Sequence, residues 1–260
     1  MSSTSLDILA IAAHRDDVEQ TCGGTLLKAA QRGQRTGILD LTQGEMGTRG
    51  TADDRAREAA DSARILGAAW RRALDIPDGR VENTWENRLK VASVIRETRP
   101  RVVILPYWKG RHPDHYTASV LGYEACFLAG LAKLALSSQP STGSPSDSAV
   151  AANTEQATLA PHRPFKIIYA TLYYDVRPSF VVDISQQFEQ KFASILAYKS
   201  QFSDQEAGKD LFPAHDEIHA RVESMARFYG ALGGVTHAEP FLQKEVGLVE
   251  DLLAIPVKSI

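Results

Sequence analysis

Apolar runs that end abruptly in charged residues, each followed by a helical pattern, constrain this 260-residue chain more than any other feature. Residues 6–13 ("LDILAIAA") read as a buried strand rich in Ile, Leu and Ala. Helical spacing follows over 18–32, with Gly33 as the stop. Residues 35–42 form the next strand and 43–51 ("QGEMGTRGT") a glycine-rich loop. Thr51 and Asp54 have the spacing of a capping box that opens a helix reaching Gly67. A short strand in "WRRALDI", a helix over 84–98, a strand over 101–106, a loop over 107–115 and a helix over 116–135 continue the rhythm. This βαβα order predicts an α/β, Rossmann-like fold: a mostly parallel sheet with helices on both faces. Ligands of such sheets bind beyond the carboxyl ends of the strands.

The second half is less regular. Residues 137–163 are rich in Ser, Ala, Thr and Pro without periodicity, and are expected to be a flexible surface insertion. Beyond them, "FKIIYATLYY" and "SFVVDIS" read as strands, and 185–198 and 214–230 as helices. Residues 1–260 are read as a single domain carrying this insertion.

Composition excludes several classes. A net charge of −3 gives no general attraction to nucleic acid or an anionic membrane. No apolar run approaches a transmembrane span, and the first residues lack a signal-peptide layout. The two cysteines, Cys22 and Cys126, have no CxxC spacing, which argues against a disulfide framework or a thiolate metal site. A cytoplasmic protein with a small-molecule substrate is expected.

Two of the strands end in the same kind of residue. After the first comes "AHRDD", with His14, Asp16 and Asp17; after "RVVILP" comes "GRHPDH", with His112, Asp114 and His115. In a parallel sheet both loops open at one edge, so folding can bring these imidazoles and carboxylates to one point. Two histidines and a carboxylate suit a catalytic divalent metal with open positions. His14 and Asp17 can both turn inward from one tight turn, with His115 arriving from the second loop. Asp16 is then left as a free carboxylate, a natural general base. A histidine with a carboxylate partner, as His112 and Asp114 offer, can stabilise an oxyanion or protonate a leaving group. These parts fit hydrolysis of an amide or ester. Taken singly, each residue also has a structural explanation, such as capping the helix that follows it.

"AHRDD" followed by Gly23 and Gly24, the loop "QGEMGTRGT", "RAREAADSARILG" and "HPDH" resemble the PIG-L/LmbE-like zinc N-deacetylases. "YKSQF" (198–202) and "HAEPF" (237–241) resemble the bacillithiol-biosynthesis branch, the N-acetylglucosaminyl-malate deacetylases. The resemblance implies one Zn2+ per chain on His14, Asp17 and His115, with Fe2+ as the other candidate metal. It implies Asp16 as general base, His112 as the group facing the oxyanion, and Asp114 as the residue orienting a histidine. Asp16 would take a proton from the attacking water and return it to the departing amine. The implied substrate is an N-acetylglucosamine conjugate, and the implied assembly a homo-oligomer.

A malate aglycone calls for arginine forks. Arg55 is the preferred anchor, followed by Arg49, with Glu45 on sugar hydroxyls. Lys109 and Arg111 are weaker anion candidates, and Tyr107 and Trp108 can stack on a sugar or simply pack. The family's proline between His14 and Asp16 is replaced by Arg15, whose long side chain is expected to reach solvent. That departure sustains an alternative, a catalytically silent sugar-binding protein. An iron oxygenase would use the same ligand types but has no need of Asp16. His162 is expected to be exposed, His215 and His219 to line a solvent or subunit face, and His237 to be placed near the pocket by its chain neighbours.

Overall fold

A computed structural model of the chain describes residues 5–138, 158–173, 175–203 and 215–255, the side chains of residues 215 and 216 excepted. Among the described residues seven strands form one sheet: β1 (Ile8–Ala12), β2 (Thr36–Asp40), β3 (Trp70–Ala73), β4 (Val102–Pro106), β5 (Lys166–Ala170), β6 (Phe180–Asp183) and β7 (Ala238–Leu242). Their order is β3-β2-β1-β4-β5-β7-β6. The first five are parallel, while β7 runs antiparallel to both β5 and β6. The expected α/β architecture is therefore present. β7 falls in "HAEPF", which carries a proline and none of the alternation that marks a strand.

The helices are α1 (Asp17–Gln31), α2 (Ala52–Ile65), α3 (Trp85–Thr98), α4 (Pro113–Ala129), α5 (Phe188–Leu196), α6 (Lys199–Phe202) and α7 (His215–Gly233). Strand alternation divides the core in two. Leu9, Ile11 and Ala13 face a layer with Val91, Ile95, Leu121 and Ala125 of α3 and α4. Ala10 and Ala12 face Val18, Cys22 and Leu26 of α1. Both cysteines are buried and free.

Helix α4 starts at Pro113, three residues before its apolar periodicity begins. The Asp114 backbone N–H donates to His112 Nδ1 at 3.2 Å, and proline occupies the first turn, where its missing donor costs nothing. Asp114 and His115 thus lie on a helix rather than in the expected loop. The helix stops before Gly130, short of the expected residue 135.

Helix α1 is broken at Cys22, whose φ of −144° is not helical. The Glu239 carboxylate, from β7, fills the break by accepting from the N–H groups of Gly24 at 2.8 Å and Thr25 at 2.7 Å. Lys191 Nζ donates to Glu239 Oε1 at 2.7 Å and to the Gln20 carbonyl at 2.9 Å. Gly24 is needed for this approach, because a Cβ there would meet Ile184 at 2.9 Å.

Most of the segment expected to be flexible, residues 139–157, lies outside the described residues. Its flanks pair at Ser137 and Thr158. The Arg96 guanidinium donates to the carbonyls of Ala129, Leu131, Leu134 and Leu159. His162, expected to be exposed, is half-buried, and its Nε2 donates to the Pro100 carbonyl at 2.7 Å.

Candidate active site

The strand order reverses direction at β1, between β2 and β4. This is the switch point where a parallel sheet opens a crevice beyond its carboxyl ends. His14 follows β1 into that crevice, and His112 follows β4 and leads into α4. The turn between β1 and α1 is strained: Asp16, a non-glycine residue, has φ 109°. Its two flanks are tied, because the His14 backbone N–H donates to Asp17 Oδ2 at 2.9 Å.

The two loops converge. His14 Nδ1 lies 3.2 Å from His115 Nε2 and 3.5 Å from Asp17 Oδ2, and His115 Nε2 lies 3.2 Å from Asp17 Oδ1. A tetrahedral ion with bonds of ~2.0–2.1 Å sets its donor atoms about 3.3 Å apart. The three side chains therefore have the spacing of a ligand set. The other ring nitrogen of His14 faces two carboxylates, Asp78 Oδ1 at 3.1 Å and Asp114 Oδ2 at 3.3 Å. Those carboxylates are themselves fixed. Asp114 accepts from the N–H groups of Gly79 and Val81, and Asp78 from that of Met46. Nε2 is therefore the nitrogen that keeps its proton, and Nδ1, facing Asp17 and His115, is the one that would give up its proton to a metal.

Two further groupings of possible ligands share His14: one with His112 and His115, the other with Asp78 and Asp114. In the second, both carboxylates bind backbone N–H groups, which fits orienting His14 better than coordination. His112 stacks on His115 with ring centroids 4.8 Å apart, and its Nδ1 already accepts from the backbone. Its Nε2–H is the free donor. Burial, and the nearby rings of His14 and His115, lower the His112 pKa and keep it neutral.

The electrostatics favour a positive charge at this point. Burial alone would lower the His14 pKa, but hydrogen bonds to Asp114, Asp17 and Asp78 outweigh it and raise the value to about 12. Asp17 is held well below the ordinary carboxylate range, because His115 and His14 overcome the opposing effect of burial. Burial pushes Asp16 up to about 7, with the Arg55 guanidinium holding it down and Asp17 adding to the rise. Adjacent carboxylates are thus split, one firmly ionised and one near neutrality, the division that separates a ligand from a general base.

The chain matches several known proteins. Residues 9–126 match the family described as GlcNAc-PI de-N-acetylase, PIG-L. A diacetylchitobiose deacetylase of Thermococcus kodakarensis is 31% identical over 243 residues, which span 89% of this chain and 80% of that protein. The chain belongs to the PIG-L family. As a member of a de-N-acetylase family it is a hydrolase. A conserved protein of Thermus thermophilus has a crystal structure with TM-score 0.77 and 39% identity, over 94% of this chain and 98% of that one. An N,N'-diacetylchitobiose deacetylase of Pyrococcus horikoshii, solved with an inhibitor, has TM-score 0.72 and 25% identity, over 90% and 82%.

Within this PIG-L fold the expected substrate residues take unexpected positions. Arg55 is only 5% exposed, and its guanidinium hydrogen-bonds the Arg15 carbonyl and lies 3.5 Å from Asp16 Oδ1. Arg49 is equally buried and donates to the Gln201 carbonyl at 3.1 Å. Glu45 accepts from the Asp78 backbone N–H at 2.8 Å. All three brace the loops around the site. Trp108 packs edge-on against Tyr169 at 4.8 Å, a core contact.

Arg15 does not reach solvent. It is 8% exposed, with Nη1 donating to the carbonyls of Ala52 at 2.8 Å and Gln43 at 3.3 Å. These carbonyls lie on the glycine-rich loop and the first turn of α2, and hold the guanidinium inward. Its pKa is lowered chiefly by burial, while Asp40 opposes that shift.

The sequence reading missed Asp78. Its signal was the "PDG" turn that follows β3 at the same sheet edge. It also missed Glu19, which is fully buried with Arg71, Ser62 and Tyr198 on its carboxylate. His215 lies at the first position of α7, with its side chain outside the described residues. Among the described residues, no helix is long and apolar enough to cross a membrane.

Proposed function

We propose that this protein hydrolyses the acetamide of an N-acetylglucosamine conjugate, using one divalent metal on His14, Asp17 and His115. The observation that carries the reading is the meeting of His14, His115 and Asp17 at 3.2–3.5 Å, with one Asp17 oxygen toward each imidazole, beside a carboxylate, Asp16, left out of the set. Zinc is the proposed metal, since two imidazoles and a carboxylate without thiolate suit it. When bound, such an ion polarises the acetamide carbonyl and makes water more acidic.

The chain's own residues supply the remaining steps. Asp16, ionised near neutral pH, takes a proton from the attacking water. The Nε2–H of His112 donates to the oxygen of the tetrahedral intermediate. Asp16 then passes its proton to the departing glucosamine nitrogen. Asp78 and Asp114 hold the His14 ring, and Arg55 holds Asp16.

A groove of about 730 Å³ opens beside His112, lined by Arg111, Tyr173, Lys191, Val222 and Glu239 among others, and can house the sugar and its aglycone. N-acetylglucosaminyl-malate, the substrate of the bacillithiol branch, is proposed as the conjugate. With Arg55 and Arg49 buried, the exposed Arg111 and Lys109 are the better candidates for its carboxylates. The relatives' names support N,N'-diacetylchitobiose as the second candidate. A homo-oligomer is also proposed, supported by the exposed row Tyr116, Val120, Tyr123 and Phe127 along α4.

Acetate release from N-acetylglucosaminyl-malate, N,N'-diacetylchitobiose and free N-acetylglucosamine tests the reading. Preference for the malate conjugate supports the branch. Preference for the disaccharide keeps the chemistry and removes the branch. Release from none of them, with metal bound, contradicts the proposal.

A further inference from the structure

A second group of metal-ligating side chains lies on α7 and at the entry to β7, outside the catalytic set. His237 is 8% exposed and stacks on Phe188, with ring centroids 4.2 Å apart and planes 10° apart. Among the described residues, neither of its ring nitrogens has a hydrogen-bond partner. Buried polar groups normally find one, and leaving two nitrogens without any is unfavourable. Its backbone is held by Ser185, whose Oγ accepts from the His237 N–H at 3.1 Å, and its ring is held by the stack on Phe188.

Glu223 of α7 approaches this ring, with Oε1 4.0 Å from His237 Nε2. One helical turn earlier, His219 holds Nδ1 3.6 Å from the other oxygen of the same carboxylate. The His219 ring packs edge-on against Phe192, at 4.5 Å. One carboxylate therefore stands between two imidazoles, with a different oxygen toward each.

We propose that His219, Glu223 and His237 form a second divalent-metal site, one that takes Zn2+, Co2+ or Ni2+. Two imidazoles and a carboxylate match these borderline ions. The spacings of 3.6 and 4.0 Å run to different oxygens of Glu223, so a single ion requires the His219 and Glu223 side chains to move together toward His237. His219 and Glu223 are partly exposed, which leaves their side chains room to move and gives an ion a way in. Burial and the nearby Arg227 lower the His237 pKa, so its ring offers a lone pair at neutral pH. Arg227 is the competing cation: it donates to Glu223 Oε1 at 2.8 Å, and its exposed side chain can share that oxygen or move to solvent. An ion here would clamp α7 to β7. These two elements also wall the groove beside His112, through Val222, Met225, Ala226, Ala238 and Glu239.

Titration of Co2+ into chelator-stripped full-length protein, followed by calorimetry and by visible absorption, tests the site. The expected result is two binding events. His237→Ala and Glu223→Gln should each weaken one of them at least tenfold, and His115→Ala should leave that same event unchanged. Glu223→Gln lies on the helix surface and carries the test if His237→Ala fails to fold. A single event that is lost in His115→Ala overturns the proposal. So does a second event that neither His237→Ala nor Glu223→Gln alters.

Discussion

Arg55 Nη2 lies 3.5 Å from Asp16 Oδ1 and also donates to the carbonyl of Arg15, the residue just before. One guanidinium therefore grips both the proposed general base and the backbone of its strained turn. Gly44 and Gly47 pack against that guanidinium, where a Cβ would come within about 3.3–3.4 Å. Arg55→Gln is expected to lower kcat by about 10- to 100-fold, less than the ~10²–10⁴-fold that loss of a general base itself costs. KM for free N-acetylglucosamine and metal content should hardly change. Steady-state kinetics with metal analysis checks this; a rise in KM at constant kcat would instead make Arg55 a substrate anchor.

Asp16→Asn keeps the shape of the turn and removes the base. Deacetylation should fall by roughly 10²–10⁴-fold while metal binding persists, because Asp16 is outside the donor set. Acetate release and metal content on one preparation measure both. Loss of metal together with activity would place Asp16 among the ligands.

Beneath the site, Arg71 donates to Glu19 at 2.6 Å and to Asp40 at 2.8 and 2.9 Å, and both carboxylates are essentially inaccessible. Arg71→Met leaves two buried carboxylates without their cation. Breaking such a pair costs about 3–5 kcal/mol, readable as a lower urea midpoint at an unchanged slope.

How much of this was legible in the sequence follows from what each feature depends on. Strands β1 and β4 carry continuous apolar runs, and their place in a parallel sheet puts His14 and His112 at one sheet edge. The capping box at Thr51 is present, with the Asp54 N–H donating to Thr51 Oγ1 at 3.1 Å. β7 was not legible, because Glu239 and Pro240 interrupt any pattern and Glu239 points inward to cap a broken helix. The inward turn of Arg15 and Arg55 was not legible either. A buried guanidinium is tolerated only where carbonyls or carboxylates are arrayed around it, and those come from loops distant in sequence.

Gly24→Ala tests the broken helix directly. The added methyl would meet Ile184 at 2.9 Å and the Glu239 carboxylate at 3.1 Å. Overpacking of this kind costs about 1–3 kcal/mol, and thermal or urea unfolding should show a loss in that range. Unchanged stability would mean that β7 and α1 can move apart freely.

The most direct test of the central claim is metal reconstitution followed by acetate release. Chelator-stripped protein receives zinc in steps, beside Asp16→Asn and His115→Ala, with the three N-acetylglucosaminyl compounds as substrates. Activity should return with the first equivalent in the unaltered protein. His115→Ala should fail to recover because it holds the metal poorly, and Asp16→Asn should fail while holding it well. Full activity in the stripped protein, or in Asp16→Asn, would contradict the account.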